Sequence, residues 1–144
     1  MGARNSPPEA GPARLTLKRL KTRADFLRAA RGVRRSGPTL TLELCPTPAD
    51  VAADGTARVG FTATKKLGNA VVRNRAKRRL RAAAAQMLPL YGRQGHDYVL
   101  VARAGTLTRP FAGLLDDLAA ALEAGHLRLT KPPAKPGKPA GDGI

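Results

Sequence analysis

This sequence is short of the residues that staple or stack a small protein. It has one cysteine, Cys45, no tryptophan, and only three phenylalanines and two tyrosines among 144 residues. A single thiol excludes an internal disulfide and fits a reducing compartment. No apolar run approaches the roughly 20 residues that cross a bilayer, and residues 1–14 lack the apolar stretch of a signal peptide. These shortages predict a soluble, cytoplasmic chain with no membrane association. Acid is the scarcest charge: 10 Asp and Glu stand against 26 Lys and Arg, for a formal net charge of +16. Self-repulsion on that scale opposes compaction, so an anionic partner is expected, nucleic acid first and an anionic membrane surface second.

The length suits one domain with tails. Residues 1–14 and 127–144 are rich in Pro and Gly, and the second adds lysines. Neither can bury enough apolar surface to offset its ordering entropy, which leaves one domain over 15–126 between flexible tails.

Within that span the periodicities predict a helix over 22–31, capped by Thr22, with Phe26, Ala29 and Ala30 on one face. Alternation at Leu40, Leu42 and Leu44 predicts a strand over 39–45, and Val59, Phe61 and Ala63 a second over 57–64. The two are expected to pair as an antiparallel hairpin with a long loop. A helix from Asn69 to Met87 follows, closed by Pro89 and Gly92. DYVLVAR, residues 97–103, has the continuous apolar centre of a buried strand. A last helix, capped by Thr106 or Thr108, carries an apolar stripe of Phe111, Leu114, Leu115, Leu118 and Leu122. The sum is an α+β fold in the order α-β-β-α-β-α, helices against a small sheet, with a parallel β-α-β crossover over 57–103.

The crossover helix holds the densest charge. Residues 73–81, RNRAKRRLR, have six basic residues and no acid, and no acid occurs between Asp54 and Asp97. At about 100° per residue, Val72, Ala76, Leu80, Ala83 and Met87 share the face that packs on the sheet. Arg73, Lys77 and Arg81 form a stripe at i, i+4 and i+8, with Asn74 and Arg78 beside it and Arg75 further round. Arg79 sits at the edge of the apolar face, where its stem covers carbon surface. An ordinary solvated helix interleaves Glu with Lys or Arg; like charges at i, i+4 cost about 0.2–0.5 kcal/mol per pair. A helix that breaks this rule repeatedly and on one flank reads as an anion-binding face. In TKKLGNAVVRNR, Gly68 permits a tight turn and Asn69 is a candidate N-cap. The free N–H groups of that helix start, with Lys65 and Lys66 beside them, make a phosphate cradle. Arginine favours bidentate contact with discrete phosphates over diffuse membrane charge.

Residues for protein-based hydrolysis are missing. His96 and His126 show no spacing for a metal pair or an acid-base couple, and His126 suits a cap or the surface. Asp116 and Asp117 point about 100° apart on their helix, a poor two-carboxylate site. No catalytic or metal-ligating residue is assigned. Charge alone leaves two non-membrane functions open: a subunit of an RNA-based nuclease, or a ribosomal or chaperone-like RNA binder.

RVGFTATKKLGNAVVRNRAKRRLR, residues 58–81, resembles the signature of the bacterial ribonuclease P protein subunit. The matching pieces are the Arg-Val-Gly opening, the Lys-Lys pair, Gly-Asn-Ala-Val, and Arg73-Asn74-Arg75 with Lys77, Arg78 and Arg81 behind it. The likeness extends from about Leu15 to Leu122 and includes Asp25-Phe26. The resemblance implies a ribonucleoprotein that removes the 5′ leader of precursor tRNA, with catalysis by the RNA subunit and Mg²⁺ held mainly by the RNA and substrate. It assigns contact with ribonuclease P RNA to the motif helix, one protein per RNA subunit, and leader contact to Phe26. It also implies a left-handed crossover around that helix. Many members carry a second aromatic where this chain has Ala30, and residues 39–45 contain none, which predicts a leader site relying less on stacking.

Overall fold

A computed structural model describes residues 15–130 of the chain. The elements are β1 (Thr16–Arg19), α1 (Arg23–Ala30), β2 (Val33–Ser36), β3 (Leu40–Pro46), β4 (Thr56–Thr62), α2 (Ala70–Tyr91), β5 (His96–Ala102), α3 (Ala104–Thr108) and α4 (Phe111–Thr130), with a 3-10 turn at Lys65–Leu67 before α2. The α+β class follows the sequence pattern, with helices packed on both faces of one sheet. The five strands lie in the order β1-β4-β5-β3-β2.

The sheet differs from expectation in its pairing. β3 and β4 do not form a hairpin. β5 lies between them, antiparallel to β3 and parallel to β4. The reason is burial. Tyr98, Val99 and Leu100 are covered on both faces, so β5 gains most at the centre of the sheet. β1 and β2, which sequence alternation did not mark, form the edges, parallel to β4 and antiparallel to β3 respectively.

One face carries Leu40, Leu42, Leu44, Val59, Tyr98 and Leu100 against α2 and α4. There α2 contributes Ala76, Leu80, Ala83, Ala84 and Leu88, and α4 contributes Leu114, Leu118 and Leu122. The opposite face holds Cys45 and Val99 under α1, which adds Ala29 and, half-buried, Phe26. Ala30 is exposed and does not share that face.

Helix ends fix the geometry. Thr22 caps α1, its hydroxyl oxygen accepting from Asp25 N–H at 3.2 Å. α2 passes the expected stop at Met87 and runs through Pro89 to Tyr91, because a proline in the last turn removes only one helix bond. Thr106 is not the cap of the last helix. It is buried inside α3, its hydroxyl donating to the Thr39 carbonyl, while α4 starts afresh at Phe111 after Pro110. The tail expected from residue 127 begins inside α4, which continues to Thr130. The tails over 1–14 and 131–144 lie outside the described residues.

Candidate nucleic-acid interface

The approach to α2 is built from two short devices. Lys65–Leu67 make a 3-10 turn, and Gly68 follows at φ 152°, where a Cβ would stand 2.9 Å from the Val72 side chain. Only glycine fits that corner comfortably. Asn69 then caps α2, its Oδ1 accepting from Val72 N–H at 3.0 Å. Lys65 and Lys66 are both exposed beside this helix start.

Along α2, Asn74, Arg75, Arg78 and Arg81 are exposed, and Arg73 and Lys77 are half-buried on the flanks. Among the described residues, the ion pairs involve Arg28, Arg34, Arg58 and Arg109, and none involves a cation of this helix or its approach. Among the described residues, no carboxylate therefore neutralises the positive field of Lys65, Lys66, Arg73, Arg75, Lys77, Arg78 and Arg81. Arg81 lies over the Phe61 ring, 5.5 Å from its centroid, which orients its guanidinium along the helix flank. Arg79 is different: its Nη2 donates to the Arg109 carbonyl and ties α2 to the α3–α4 corner.

Arg58 also leaves the free set. It sits in the acid-poor stretch of the sequence, yet its guanidinium grips the Asp97 carboxylate with two bonds, Nε at 2.9 Å and Nη2 at 2.7 Å. The same Nη2 reaches Asp25 at 3.1 Å, and Arg28 reaches Asp25 at 2.9 Å. Thr47 donates to Asp97 at 2.7 Å. The hydrogen bonds to Asp97 outweigh burial and hold Arg58 more firmly protonated than usual. Burial pushes the Cys45 thiol up to about 11, with the Asp97 charge adding to it. Sequence spacing missed this cluster because it joins α1, β4 and β5; the acid that ends the acid-free stretch pairs with the arginine at its start.

Phe26 stands on the α1 side of the sheet. A Cβ at Gly60 would lie 2.5 Å from its ring, so the missing side chain of Gly60 is what lets the ring settle on β4. The ring is both a core contact, with Leu20, Ala29, Cys45 and Val99, and a half-exposed surface.

A family model described as Ribonuclease P matches residues 16–125. The ribonuclease P protein component of Caulobacter vibrioides is 52% identical over 111 residues, covering 77% of this chain and 72% of that protein. That of Ruegeria pomeroyi is 53% identical over 108 residues, covering 74% and 85%. The chain belongs to the ribonuclease P protein family. The solved ribonuclease P protein of Thermotoga maritima shares the fold, with a TM-score of 0.58 at 23% identity over 74% of this chain and 96% of the other. As a ribonuclease P protein component, the chain takes part in tRNA processing in partnership with ribonuclease P RNA.

Two histidines that looked unrelated in this ribonuclease P protein are brought together. His96 and His126 have ring centroids 6.0 Å apart, with Tyr98 against both. His126 is buried, neither a surface group nor a cap: its Nε2 lies 2.6 Å from the Tyr98 hydroxyl, which accepts from Arg93 N–H at 2.8 Å. With that oxygen already accepting, its proton points to a neutral Nε2. Burial, then the charges of Arg93 and His96, lower the His126 pKa to about 4. Unfolding restores the ordinary value near 6.5. The unfolded chain thus binds more protons between those values, so His126 adds stability that is complete above about pH 6.5 and lost as pH falls towards 4. Urea unfolding across that range will show up to about 3 kcal/mol of acid-dependent loss that His126→Gln removes. An unchanged pH slope in the variant would refute it. Among the described residues no group of three or more His, Cys, Asp or Glu could hold a metal ion, and no helix is long and apolar enough to cross a membrane. Asp117 accepts from Thr39 at 2.8 Å and from Arg109 at 3.1 Å, tying α4 to the residue that precedes β3 and to the α3–α4 corner.

Proposed function

We propose that the outer flank of α2 and its approach form the surface that holds the ribonuclease P RNA. Arg73, Arg75, Lys77, Arg78 and Arg81 would contact phosphates, Asn74 would add a polar contact, and Lys65, Lys66 and the Asn69-capped helix start would receive a further phosphate. The observation that carries this reading is a run of seven cations, on one capped helix and its approach, that no acid among the described residues pairs with. The sheet face beside α1 would take the single-stranded 5′ leader of precursor tRNA, with Phe26 supplying one stacking surface. Ala30 and β3 offer no aromatic, so charge and backbone contacts carry more of that grip.

In this reading the RNA subunit performs the cleavage, one protein serves each RNA, and Mg²⁺ is held by RNA and substrate. The protein supplies position and charge neutralisation, is inert alone, and works in the cytoplasm. Combining the chain with a bacterial ribonuclease P RNA and a precursor tRNA at low Mg²⁺ tests it. Correct 5′ processing well above that of RNA alone is expected, with no cleavage by protein alone. No gain over RNA alone would sink the proposal.

A further inference from the structure

Across the sheet from β1, β2 forms the other edge, and its outer side pairs with no strand among the described residues. The register shows which backbone groups are left over. Gly37 N–H donates to the Leu40 carbonyl at 3.0 Å, and the ladder continues with Arg35 opposite Leu42 and Val33 opposite Leu44. In an antiparallel ladder the intervening residues turn their polar groups outward. The N–H and C=O groups of Arg34 and Ser36 therefore face away from β3, where an added strand could take them. Beside this edge, on the α4 side, a cavity of about 230 Å³ runs from Arg35 along the turn to Leu40 and is closed by Asp117, Ala120, Ala121 and Ala124. Its walls are fixed in advance. Gly105 N–H donates to the Pro38 carbonyl at 3.1 Å, the Thr106 hydroxyl to the Thr39 carbonyl, and the Thr39 hydroxyl to Asp117 at 2.8 Å. A preformed edge binds with little ordering cost.

Size, polarity and charge select the partner. The cavity is smaller than small-ligand sites of about 300–1,000 Å³, so it suits a side chain and not a cofactor. Its alanines and the buried Leu40 make that side chain apolar. Arg35 stands at the mouth, exposed, and among the described residues no ion pair engages it. Asp117 is held by Thr39 and Arg109 and does not answer it. On an added strand, a carboxylate two residues from the apolar side chain shares its face and would reach Arg35. Outward donors and acceptors together suit a peptide backbone, whereas RNA phosphates only accept. A second copy of this chain would set Arg34 and Arg35 against their own counterparts, and like charges across a strand pair destabilise it. The chain's own end, KPPAKPGKPAGDGI, is rich in prolines, which lack the donor, and in lysines, which share the charge of Arg35. We infer that the β2 edge and its groove bind an extended acidic segment of another protein by strand addition. α4 packs over β3 and β2, whereas α2 packs over β1, β4 and β5, so this surface is separate from the α2 flank and does not rest on its assignment.

The probe is the capped peptide Thr-Glu-Thr-Val-Thr-Glu-Thr, whose pattern reads the same in either strand direction. Two controls accompany it: the peptide with Lys for Glu, and the Glu peptide N-methylated throughout, which keeps its charge and cannot donate. The full chain is compared with Ser36→Pro, which removes an outward N–H and no bond to β3, with Arg35→Glu, which reverses an exposed charge, and with Arg73→Ala/Arg78→Ala as control for the α2 surface. Binding is read by fluorescence anisotropy and by amide hydrogen exchange. The Glu peptide should slow exchange at Arg34 and Ser36 and bind at least tenfold more weakly to either edge variant, but within twofold of the parent to the α2 variant. Each control peptide should bind the parent at least tenfold more weakly. No binding at millimolar concentration, equal binding of the N-methylated peptide, or a loss in the α2 variant but not in the edge variants overturns the site. Slowed exchange at the same two amides on concentrating the protein alone would assign the edge to a second copy, and on adding a single-stranded RNA to nucleic acid. Either result also overturns the inference.

Discussion

Arg73→Ala/Arg78→Ala will bind ribonuclease P RNA at least tenfold more weakly than the parent chain, and the deficit will shrink as salt is raised. Both side chains sit on the flank of α2 that no carboxylate among the described residues neutralises. Each phosphate contact releases condensed counterions, so log K falls with log salt by about 0.7–0.9 per contact. Losing two contacts should reduce the slope by about 1.4–1.8 units. The fold should be unaffected, since Arg73 and Arg78 lie outside the buried set of Ala76, Leu80, Ala83, Ala84 and Leu88. Filter binding across a salt series decides the matter. Equal slopes for variant and parent would mean that neither side chain touches phosphate. Loss of affinity with a lowered melting temperature would instead indicate a packing role.

Asp97→Ala will destabilise the protein by about 3–5 kcal/mol, the cost of breaking a buried ion pair from one side. Asp97 is fully buried in β5 and receives two bonds from Arg58 and one from Thr47. Its removal strands a largely buried guanidinium with only Asp25 to answer it. Arg58→Met added to Asp97→Ala should recover part of the loss, because the uncompensated charge goes with it. Urea denaturation of the two variants measures both effects. A loss below about 1 kcal/mol, or no recovery in the double variant, would show that the cluster is worth no more than a surface pair. The same cluster holds α1 through Asp25 and so fixes where Phe26 rests on Gly60. A loosened α1 should make the half-buried ring mobile on its face of the sheet.

Most of the α2 surface was legible without coordinates. A 3.6-residue period separates Ala76, Leu80 and Ala83 from the cations, and the Asn69 cap declares itself by sitting one residue before the helix. These are local properties, fixed by residues within one or two turns of each other. The edge strands β1 and β2 escaped notice for the converse reason. Their four residues each are mostly exposed, so they show no alternation, and they are strands only because β4 and β3 offer them free edges.

Composition and spacing alone thus determined a basic, acid-poor helix with one packing face and one free flank, and that much suffices to demand a polyanion. Tertiary structure decided which charges stay free. Arg58 is silenced by Asp97, 39 positions away, and Arg79 is drawn to the Arg109 carbonyl. Sequence order carries the sign of each charge. Whether it is neutralised depends on distances of a few ångströms, and those exist only after the chain has folded.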